Sequence, residues 1–321
     1  MTAFKSGDPL TLNRLYGRSS GHKLRKSQQE LVDQLLPQLE VPAEGEITSS
    51  ALFGEDRPLH FEIGFGSGEH LADRADMLPD HGFIGAEPFL NGVATALGHI
   101  RDRRLANIRL WRGDALEVLQ RVPDKSLSFL YLLHPDPWPK ARHAKRRMVN
   151  DRPVELFASK LKPGGEFRLA TDDPTYLSWS LMVMQRHAAQ FEWLANKPKD
   201  FLEPSGGWIE TRYGAKSRRE GRRPYYLRYR RKGWPDARIE RAIKARCAAA
   251  EKRASRADRS RLPSMVAELV EGGAEVSLLA HFFEGSFQEP FSVQSRRKLL
   301  LAEFMENGGT FPEDELTVIA R

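Results

Sequence analysis

The stretch from Leu59 to Gly68 (LHFEIGFGSG) decides the fold of this chain. It begins as a short apolar run with one acid, Glu62, and ends in glycines that alternate with other residues. A helical stretch follows from Glu69. A strand that leads through a glycine-rich loop into a helix is typical of a sheet whose strands alternate with helices. Because glycine accepts backbone conformations that other residues avoid, such a loop can turn sharply and approach a ligand closely.

The same alternation continues along the chain. Further strands are predicted at 83–86, 107–111, 127–133 and 165–170, and two late strands at 191–194 and 225–230. The run 127–133 is almost continuously apolar, as a strand buried on both faces requires. Alternating strands and helices predict an α/β protein with a mostly parallel sheet and helices on both faces. Ahead of the first strand, leucines at helical spacing predict an amphipathic helix over 28–40.

The composition excludes several classes of protein. The chain has 321 residues, a formal net charge of +7 and a pI near 9.5. It lacks an apolar run of about 18 residues, so neither a transmembrane helix nor a membrane partner is predicted. The single cysteine, Cys247, excludes an internal disulfide and a multi-cysteine site, and no metal is predicted. Since the N-terminal residues also lack a secretory signal pattern, we expect a cytoplasmic protein.

The positive charge is concentrated in residues 1–232, because residues 233–321 are close to neutral. Three clusters of lysine and arginine lie at 18–26, 140–147 and 212–232, and tyrosines interleave the last one. Any one cluster could be a solvated face, but three of them favour a polyanionic partner such as nucleic acid. The stretch 233–321 is expected to be a mainly helical appendage, with helices at 237–262, 276–283 and 295–305, and it shows no motif.

Acidic residues follow three successive predicted strands: Glu62, Glu87 and Asp114. Ligands of such sheets bind outside the carboxyl ends of the strands. A dinucleotide site requires G-x-G-x-x-G, but here the third glycine, Gly68, comes one residue early and Glu69 would repel pyrophosphate. The loop therefore favours a ligand without phosphate, such as S-adenosylmethionine, with Glu87 at the ribose and Asp114 near the adenine. The position of Glu87 taken alone fits NAD as well.

The most specific segment is 135–147, which reads PDPWPKARHAKRR. Two prolines flank Asp136 and stiffen the backbone just past the predicted central strand. Trp138 can stack on a base, and a basic run follows at once. A carboxylate beside an adenosyl ligand, with phosphate-binding cations next to it, is typical of an enzyme that acts on nucleic acid.

Together these segments resemble the bacterial tRNA (guanine-N7-)-methyltransferases, which have the class I S-adenosylmethionine-dependent fold. The resemblance covers residues 14–231 and is carried by EIGFGSG at 62–68, IGAE at 84–87, GDA at 113–115, the 135–147 segment, LKPGG at 161–165, ATD at 170–172, TRY at 211–213 and a leader at 15–24. It implies a doubly wound, mostly parallel seven-stranded sheet. The expected division is a basic N-terminal extension (1–57), a methyltransferase domain (58–232) and the tail (233–321).

The resemblance also implies roles for residues. Those implied to bind S-adenosylmethionine are Glu62, Gly64, Gly66, Gly68, Glu87, Asp114 and Asp136, of which Asp136 is also implied to be catalytic. Those implied to bind the substrate are Lys140, Asp172, Thr211, Arg212, Tyr213 and Gly214, and those implied to contact RNA are Arg142, His143, Ala144, Lys145, Arg146 and Arg147. One position departs from the family pattern, T-[KR]-[FY]-E, because Gly214 stands where that pattern has Glu.

The implied activity is methyl transfer from S-adenosylmethionine to N7 of a guanine in the variable loop of tRNA. The expected partner is tRNA, and a monomer is favoured. Two alternatives stay open from the residues alone. The chain could methylate a protein or a small molecule, or it could be a non-catalytic RNA-binding protein on a methyltransferase scaffold.

Overall fold

A computed structural model of the chain describes residues 21–204, 208–209 and 212–233. The predicted leader up to residue 20, Thr211 and the three predicted tail helices lie outside the described residues.

Seven strands form one sheet in the order β3-β2-β1-β4-β5-β7-β6. The strands are β1 (Leu59–Ile63), β2 (Gly82–Ala86), β3 (Ile108–Trp111), β4 (Leu127–Leu133), β5 (Leu161–Thr171), β6 (Phe191–Trp193) and β7 (Tyr225–Arg231). β1 pairs in parallel with β2 and β4, and β2 pairs in parallel with β3. β7 is antiparallel to both β5 and β6. The predicted α/β architecture with a mostly parallel, seven-stranded sheet is therefore confirmed.

Each predicted strand is present, and the largest difference concerns β5. The strand was expected to begin at Gly165, after the breaker Lys162-Pro163-Gly164, yet the extended backbone begins at Leu161. Residues 162–164 are exposed, Gly164 has a φ of 82°, and the pairing with β7 begins only at Glu166. The breaker thus marks the start of the pairing with β7 rather than the start of the strand.

The chain forms two compact units, and the first contains residues up to Leu133 together with the short stretch 209–212. Its helices are α1 (Lys26–Gln34), α2 (Leu36–Leu39), α3 (Ser49–Phe53), α4 (Glu69–Met77), α5 (Leu90–Arg103) and α6 (Ala115–Arg121). The helix predicted over 28–40 is two helices, and Pro37 lies in the first turn of α2, where its missing N–H costs nothing. One hydrophobic core cluster of this unit consists of Leu36, Leu39, Phe65, Leu71, Ala75, Phe83, Val93, Ala96, Leu97, Ile100, Ile108 and Leu110.

The second unit contains residues 134–208 and the chain from Tyr213 onward. It has a 3-10 helix (Ala141–Arg146) and the helices α7 (Asp151–Lys160), α8 (Pro174–Arg186), α9 (Lys199–Leu202) and α10 (Arg212–Arg219). Phe167 is at the centre of its core, where its ring contacts those of Phe157, Phe191 and Tyr229. Among the helices that the structure describes, none combines the length and the apolarity that crossing a membrane requires.

Candidate active site

The glycine loop of the first unit adopts the backbone that its sequence predicts. Gly64, Gly66 and Gly68 have φ values of 67°, 57° and 81°, in the left-handed region that glycine accepts without strain. A Cβ atom on Gly68 would lie 2.5 Å from the Cβ of Ala96 on α5. A side chain is therefore excluded at Gly68 by its backbone conformation and by the close approach of α5.

Glu87 follows β2, and its carboxylate is fixed by two backbone amides. Gly66 N donates to Oε2 and Phe89 N donates to Oε1, both at 2.9 Å. The residue is only 8% exposed. A carboxylate has about four acceptor positions, so Glu87 can still accept from a ligand while it holds the glycine loop in place.

Glu62, at the end of β1, forms a buried ion pair or hydrogen bond with His70 on α4. Its Oε2 lies 2.8 Å from His70 Nδ1, and the two side chains are 3% and 1% exposed. The edge of the His70 ring packs on Tyr131 of β4, with 4.7 Å between the ring centroids. Sequence analysis missed His70. Its only signal was a histidine in the first turn of the helix that follows the glycine loop.

Asp114 caps α6, because its Oδ1 accepts from Leu116 N at 2.9 Å. Burial raises the pKa of the Asp114 carboxyl, against the opposing effect of the Leu116 amide. Helix capping alone would explain an acid at this position. The carboxylate can cap the helix and bind a ligand at the same time, because the cap uses only Oδ1.

The sheet brings the ends of these three strands together. Gly64 N donates to Ala86 O at 2.8 Å, and Glu87 N donates to Trp111 O at 3.0 Å. Within the first unit, Glu62 therefore lies at the end of β1, while the glycine loop, Glu87 and Asp114 follow β1, β2 and β3. This arrangement suits a ligand that offers hydroxyl and amino groups and carries no phosphate, because Glu69 adds a negative charge to the first turn of α4.

In the second unit, the predicted catalytic loop has two unusual backbone conformations. His134 and Trp138 have φ values of 50° and 42°, which cost non-glycine residues about 1–3 kcal/mol each. His134 N is held by Ala170 O at 2.8 Å. Asp136 lies between these residues and is exposed, yet desolvation by the surrounding protein raises the pKa of its carboxyl.

The predicted RNA contacts differ in their exposure. Lys140, Arg142 and Lys145 are exposed, whereas His143, Ala144 and Arg146 are half-buried. Partial desolvation and the charges of Arg146, Arg142 and Lys140 lower the pKa of His143, so its ring is neutral at neutral pH. Arg147 is 5% exposed. Its guanidinium is turned into the protein, so the prediction that Arg147 contacts RNA needs revision.

Asp172, which follows β5, is engaged by partners that sequence analysis did not identify. Arg222 Nε lies 2.9 Å from Asp172 Oδ2, and His134 Nδ1 lies 3.6 Å from Oδ1. Burial alone would raise the pKa of Asp172, but a hydrogen bond from Ser217 and the charge of Arg222 outweigh it and lower the pKa. Asp172 is therefore a carboxylate at neutral pH.

Three further predicted substrate residues, Arg212, Tyr213 and Gly214, belong to α10. Arg212 and Tyr213 are its first two residues, and Gly214 is the buried third. The backbone of Gly214 is thus helical, a conformation that any L residue can adopt. In the described residues, no group of three or more His, Cys, Asp or Glu side chains could hold a metal ion.

Comparison with known proteins identifies the family. A family model described as a putative methyltransferase matches residues 56–227. The tRNA (guanine-N(7)-)-methyltransferase of Novosphingobium aromaticivorans is 66% identical over 238 residues, which cover 72% of this chain and 100% of that protein. Proteins of the same name from Sphingopyxis alaskensis and Zymomonas mobilis are 65% and 57% identical, again over 72% of this chain and 100% of each protein.

Solved structures also resemble the chain. The 16S rRNA methyltransferase KamB is 13% identical, with a TM-score of 0.40, and the match covers 60% of this chain and 99% of that chain. The sequence relatives decide the assignment, since they are matched over their whole length at more than half identity. The chain belongs to the tRNA (guanine-N7-)-methyltransferase family, as the resemblance of its motifs predicted.

Proposed function

We propose that this protein transfers a methyl group from S-adenosylmethionine to N7 of a guanine in the variable loop of tRNA. The choice of reaction rests on one observation. The chain is 65% identical to a protein named tRNA (guanine-N(7)-)-methyltransferase, which is matched over its whole length. The site geometry supports the roles of individual residues, and these roles are part of the proposal.

The first unit is the proposed donor site. The left-handed glycines keep side chains away from the ligand, Glu87 accepts from the ribose hydroxyls, and Asp114 accepts from the adenine amino group. Glu62, whose Oε2 contacts His70, has a second oxygen that can face the donor. S-adenosylmethionine supplies an electrophilic methyl group when it is bound there.

The second unit is the proposed acceptor site. Guanine N7 carries an in-plane lone pair, so no base has to remove a proton before it attacks. The work of the protein is then alignment of the nitrogen with the methyl group. The methylated ring gains positive charge, and the carboxylates of Asp136 and Asp172 stabilise that charge as it develops. The lowered pKa of Asp172 keeps it ionised for this task.

The exposed cations of the 140–146 segment are the proposed contacts to the tRNA backbone. Lys140, Arg142 and Lys145 project from the surface directly after the Asp136 loop. Phosphate contacts of this kind make binding strongly dependent on salt. They offset the cost of unstacking the target nucleotide, which is about a few kcal/mol.

The test is methyl transfer from labelled S-adenosylmethionine to tRNA from a strain that lacks the modification, followed by digestion to nucleosides. We expect the label in 7-methylguanosine and a rate that falls as salt rises. Label in another nucleoside, or no transfer while the protein binds S-adenosylmethionine, contradicts the proposal. Transfer to protein or to a small molecule at a rate insensitive to salt favours the competing methyltransferase alternative.

A further inference from the structure

Arg147 is the buried cation in the basic run that follows the Asp136 loop. At 5% exposure it has little surface to offer a phosphate. Its exposed neighbours Arg142 and Lys145 belong to the same run but face solvent. A buried guanidinium must be compensated by acceptors inside the protein, and these acceptors indicate what the residue does.

The acceptors are backbone carbonyls of the Asp136 loop. Arg147 Nε donates to Pro137 O at 3.1 Å and to Trp138 O at 3.3 Å, and Nη2 donates to Trp138 O at 3.1 Å. The two carbonyls belong to the residues that directly follow Asp136. Trp138 has the unfavourable φ of 42°. These hydrogen bonds therefore stabilise a loop conformation that the backbone preference of Trp138 disfavours.

The other face of the guanidinium is fixed by α8. Arg147 Cζ lies 4.7 Å from the centroid of the Trp179 ring. Trp179 is oriented in turn by its indole, which donates to Val149 O at 2.6 Å, while the buried Tyr176 hydroxyl accepts from Val149 N at 3.2 Å. One turn of α8 therefore holds the backbone two residues beyond Arg147 and provides the surface on which its side chain stacks.

Asn150 fixes the backbone of Arg147 itself. Asparagine at a helix N-cap ordinarily accepts from the amides of the first turn, but the Asn150 side chain makes no such bond to α7. Its amide donates instead to Arg147 O at 2.6 Å and to Ala144 O at 3.1 Å. The cap residue of α7 thus fixes the chain that carries Arg147.

We infer that Arg147 is a positioning residue, which holds Asp136 in its catalytic place by binding the carbonyls of Pro137 and Trp138. This role rests on the proposed function, in which Asp136 faces the reacting guanine. It separates Arg147 from the RNA contacts of the same basic run. Arg147 acts on the rate of the chemical step, and the exposed cations act on the affinity for tRNA.

The first test is Arg147→Lys. Lysine keeps the charge but lacks the planar fork that reaches two carbonyls and stacks on an indole. We expect kcat at saturating tRNA to fall by about tenfold to a hundredfold, because small misplacements of a catalytic group cost that much. The KM for tRNA and the slope of affinity against salt should stay within about twofold of the wild-type values.

Arg152→Lys is the matched control, since Arg152 is an exposed arginine at the start of α7 with no proposed role, and it should behave as wild type.

The second readout does not depend on activity. Hydrogen exchange of the segment 134–147 should be at least several-fold faster in Arg147→Lys than in the wild type and in Arg152→Lys. If Arg147→Lys fails to fold, Asn150→Ala decides the question, because it loosens the Arg147 backbone and leaves the guanidinium in place. That variant should also show faster exchange in 134–147 and a lower kcat at unchanged KM.

The outcomes are distinguishable. Wild-type kcat and wild-type exchange in a folded Arg147→Lys variant, or in Asn150→Ala, overturn the inference. A smaller salt slope with unchanged kcat in Arg147→Lys also overturns it and returns Arg147 to the RNA contacts. If the wild-type protein transfers no methyl group to tRNA, the proposed function fails, and the exchange data alone then decide whether Arg147 holds the loop.

Discussion

At the scale of single residues, two aspartates of the second unit differ in the sign of their pKa shifts. Desolvation raises the pKa of Asp136. The pKa of Asp172 is lowered, because the hydrogen bond from Ser217 and the charge of Arg222 outweigh its burial. Both carboxylates are proposed to face a ring that becomes positively charged, yet only Asp172 is stabilised by partners within the free protein. The two residues should therefore respond oppositely to removal of their charge.

For Asp136→Asn we expect methyl transfer to fall by about tenfold or more, since a charge that stabilises the transition state is lost. Stability should not fall. A raised pKa in the folded state means that the ionised carboxylate opposes folding as the pH rises through that pKa. The variant should thus equal or exceed the wild type in unfolding free energy at pH 7, and the difference should vanish below about pH 3.9, the unfolded value. Urea unfolding at several pH values checks the stability, and the rate of methyl transfer to tRNA checks the activity. Near-normal turnover would remove Asp136 from the mechanism.

For Asp172→Asn we expect the opposite effect on the free energy of unfolding, which should fall at neutral pH. A lowered pKa contributes stability above the unfolded value, and that contribution is lost as the pH falls through the folded pKa. We expect the variant to lose about 0.5–1 kcal/mol of unfolding free energy at pH 7, because Arg222 is half-exposed and solvent screens the pair. The loss should disappear in acid. An equal loss at pH 7 and at pH 3 would contradict the assigned ion pair with Arg222.

Gly214 is the residue at which the chain departs from its family pattern. A glutamate there could accept from the guanine N1–H and N2 amino donors, so its absence should cost about 1.5–3 kcal/mol, or roughly tenfold to a hundredfold in kcat/KM. The helical backbone of Gly214 removes the objection that only glycine can adopt the required φ and ψ angles. We therefore expect Gly214→Glu to raise kcat/KM several-fold on one unmodified tRNA.

Gly214→Ala is the control for that gain. Alanine stabilises a helix by about 0.8–1.0 kcal/mol relative to glycine but supplies no carboxylate. An equal gain in both variants would mean that helix stability, not a guanine contact, limits the enzyme. No gain, or a loss at unchanged stability, would contradict the missing contact.

Sequence reasoning at this scale found the acids but not their partners. Glu87 and Asp136 were identified because they follow strands and stand beside glycines or prolines. His70, Ser217 and Arg222 could not be found, because their pairings join residues that only the folded chain brings together. The burial of Arg147 was invisible for the same reason, since the repeated pattern of arginine and lysine in the 140–147 run does not show which side chain turns inward.

At the scale of elements, the 3-10 helix Ala141–Arg146 is the surface through which the protein is proposed to bind tRNA. Arg142 and Lys145 are exposed, whereas Arg147 beyond its end is buried. Replacing both exposed residues by alanine should reduce the slope of log affinity against log salt by about one to two, since each lost phosphate contact removes roughly 0.7–0.9. The affinity for S-adenosylmethionine should not change. An unchanged slope in filter-binding measurements would mean that this helix is only a solvated face.

The elements themselves were largely predictable. Short, almost continuously apolar runs located β2 and β4, because strands buried on both faces must be apolar. The other strands were also located, although β3, β6 and β7 contain Arg109, Glu192 and Arg228. The start of β5 was predicted late, since the exposed, glycine-containing segment ahead of Gly165 carries no apolar signal even though it belongs to the strand. The break between α1 and α2 was also missed, because the leucine spacing continues across it.

At the scale of the whole molecule, the stretch 233–321 stands apart from the family match. Relatives named tRNA (guanine-N(7)-)-methyltransferase are matched over 100% of their length by 72% of this chain. The rest of the chain has no counterpart in those relatives. A chain that ends at Lys232, just past β7, should therefore stay soluble and retain its kcat/KM for tRNA within about threefold. Aggregation or inactivity of that shortened chain would mean that the tail completes the core or the tRNA surface.

The central claim is that the methyl group goes to N7 of one guanine in the variable loop. It is tested most directly with two transcripts of a single tRNA, one with guanosine and one with 7-deazaguanosine, which keeps Watson–Crick pairing and lacks the N7 atom. After incubation with S-adenosylmethionine, borohydride and aniline cleave the RNA at 7-methylguanosine. We predict cleavage at one guanine of the variable loop in the first transcript and no methyl transfer to the second. Transfer to the 7-deaza transcript, or cleavage outside the variable loop, would contradict the account.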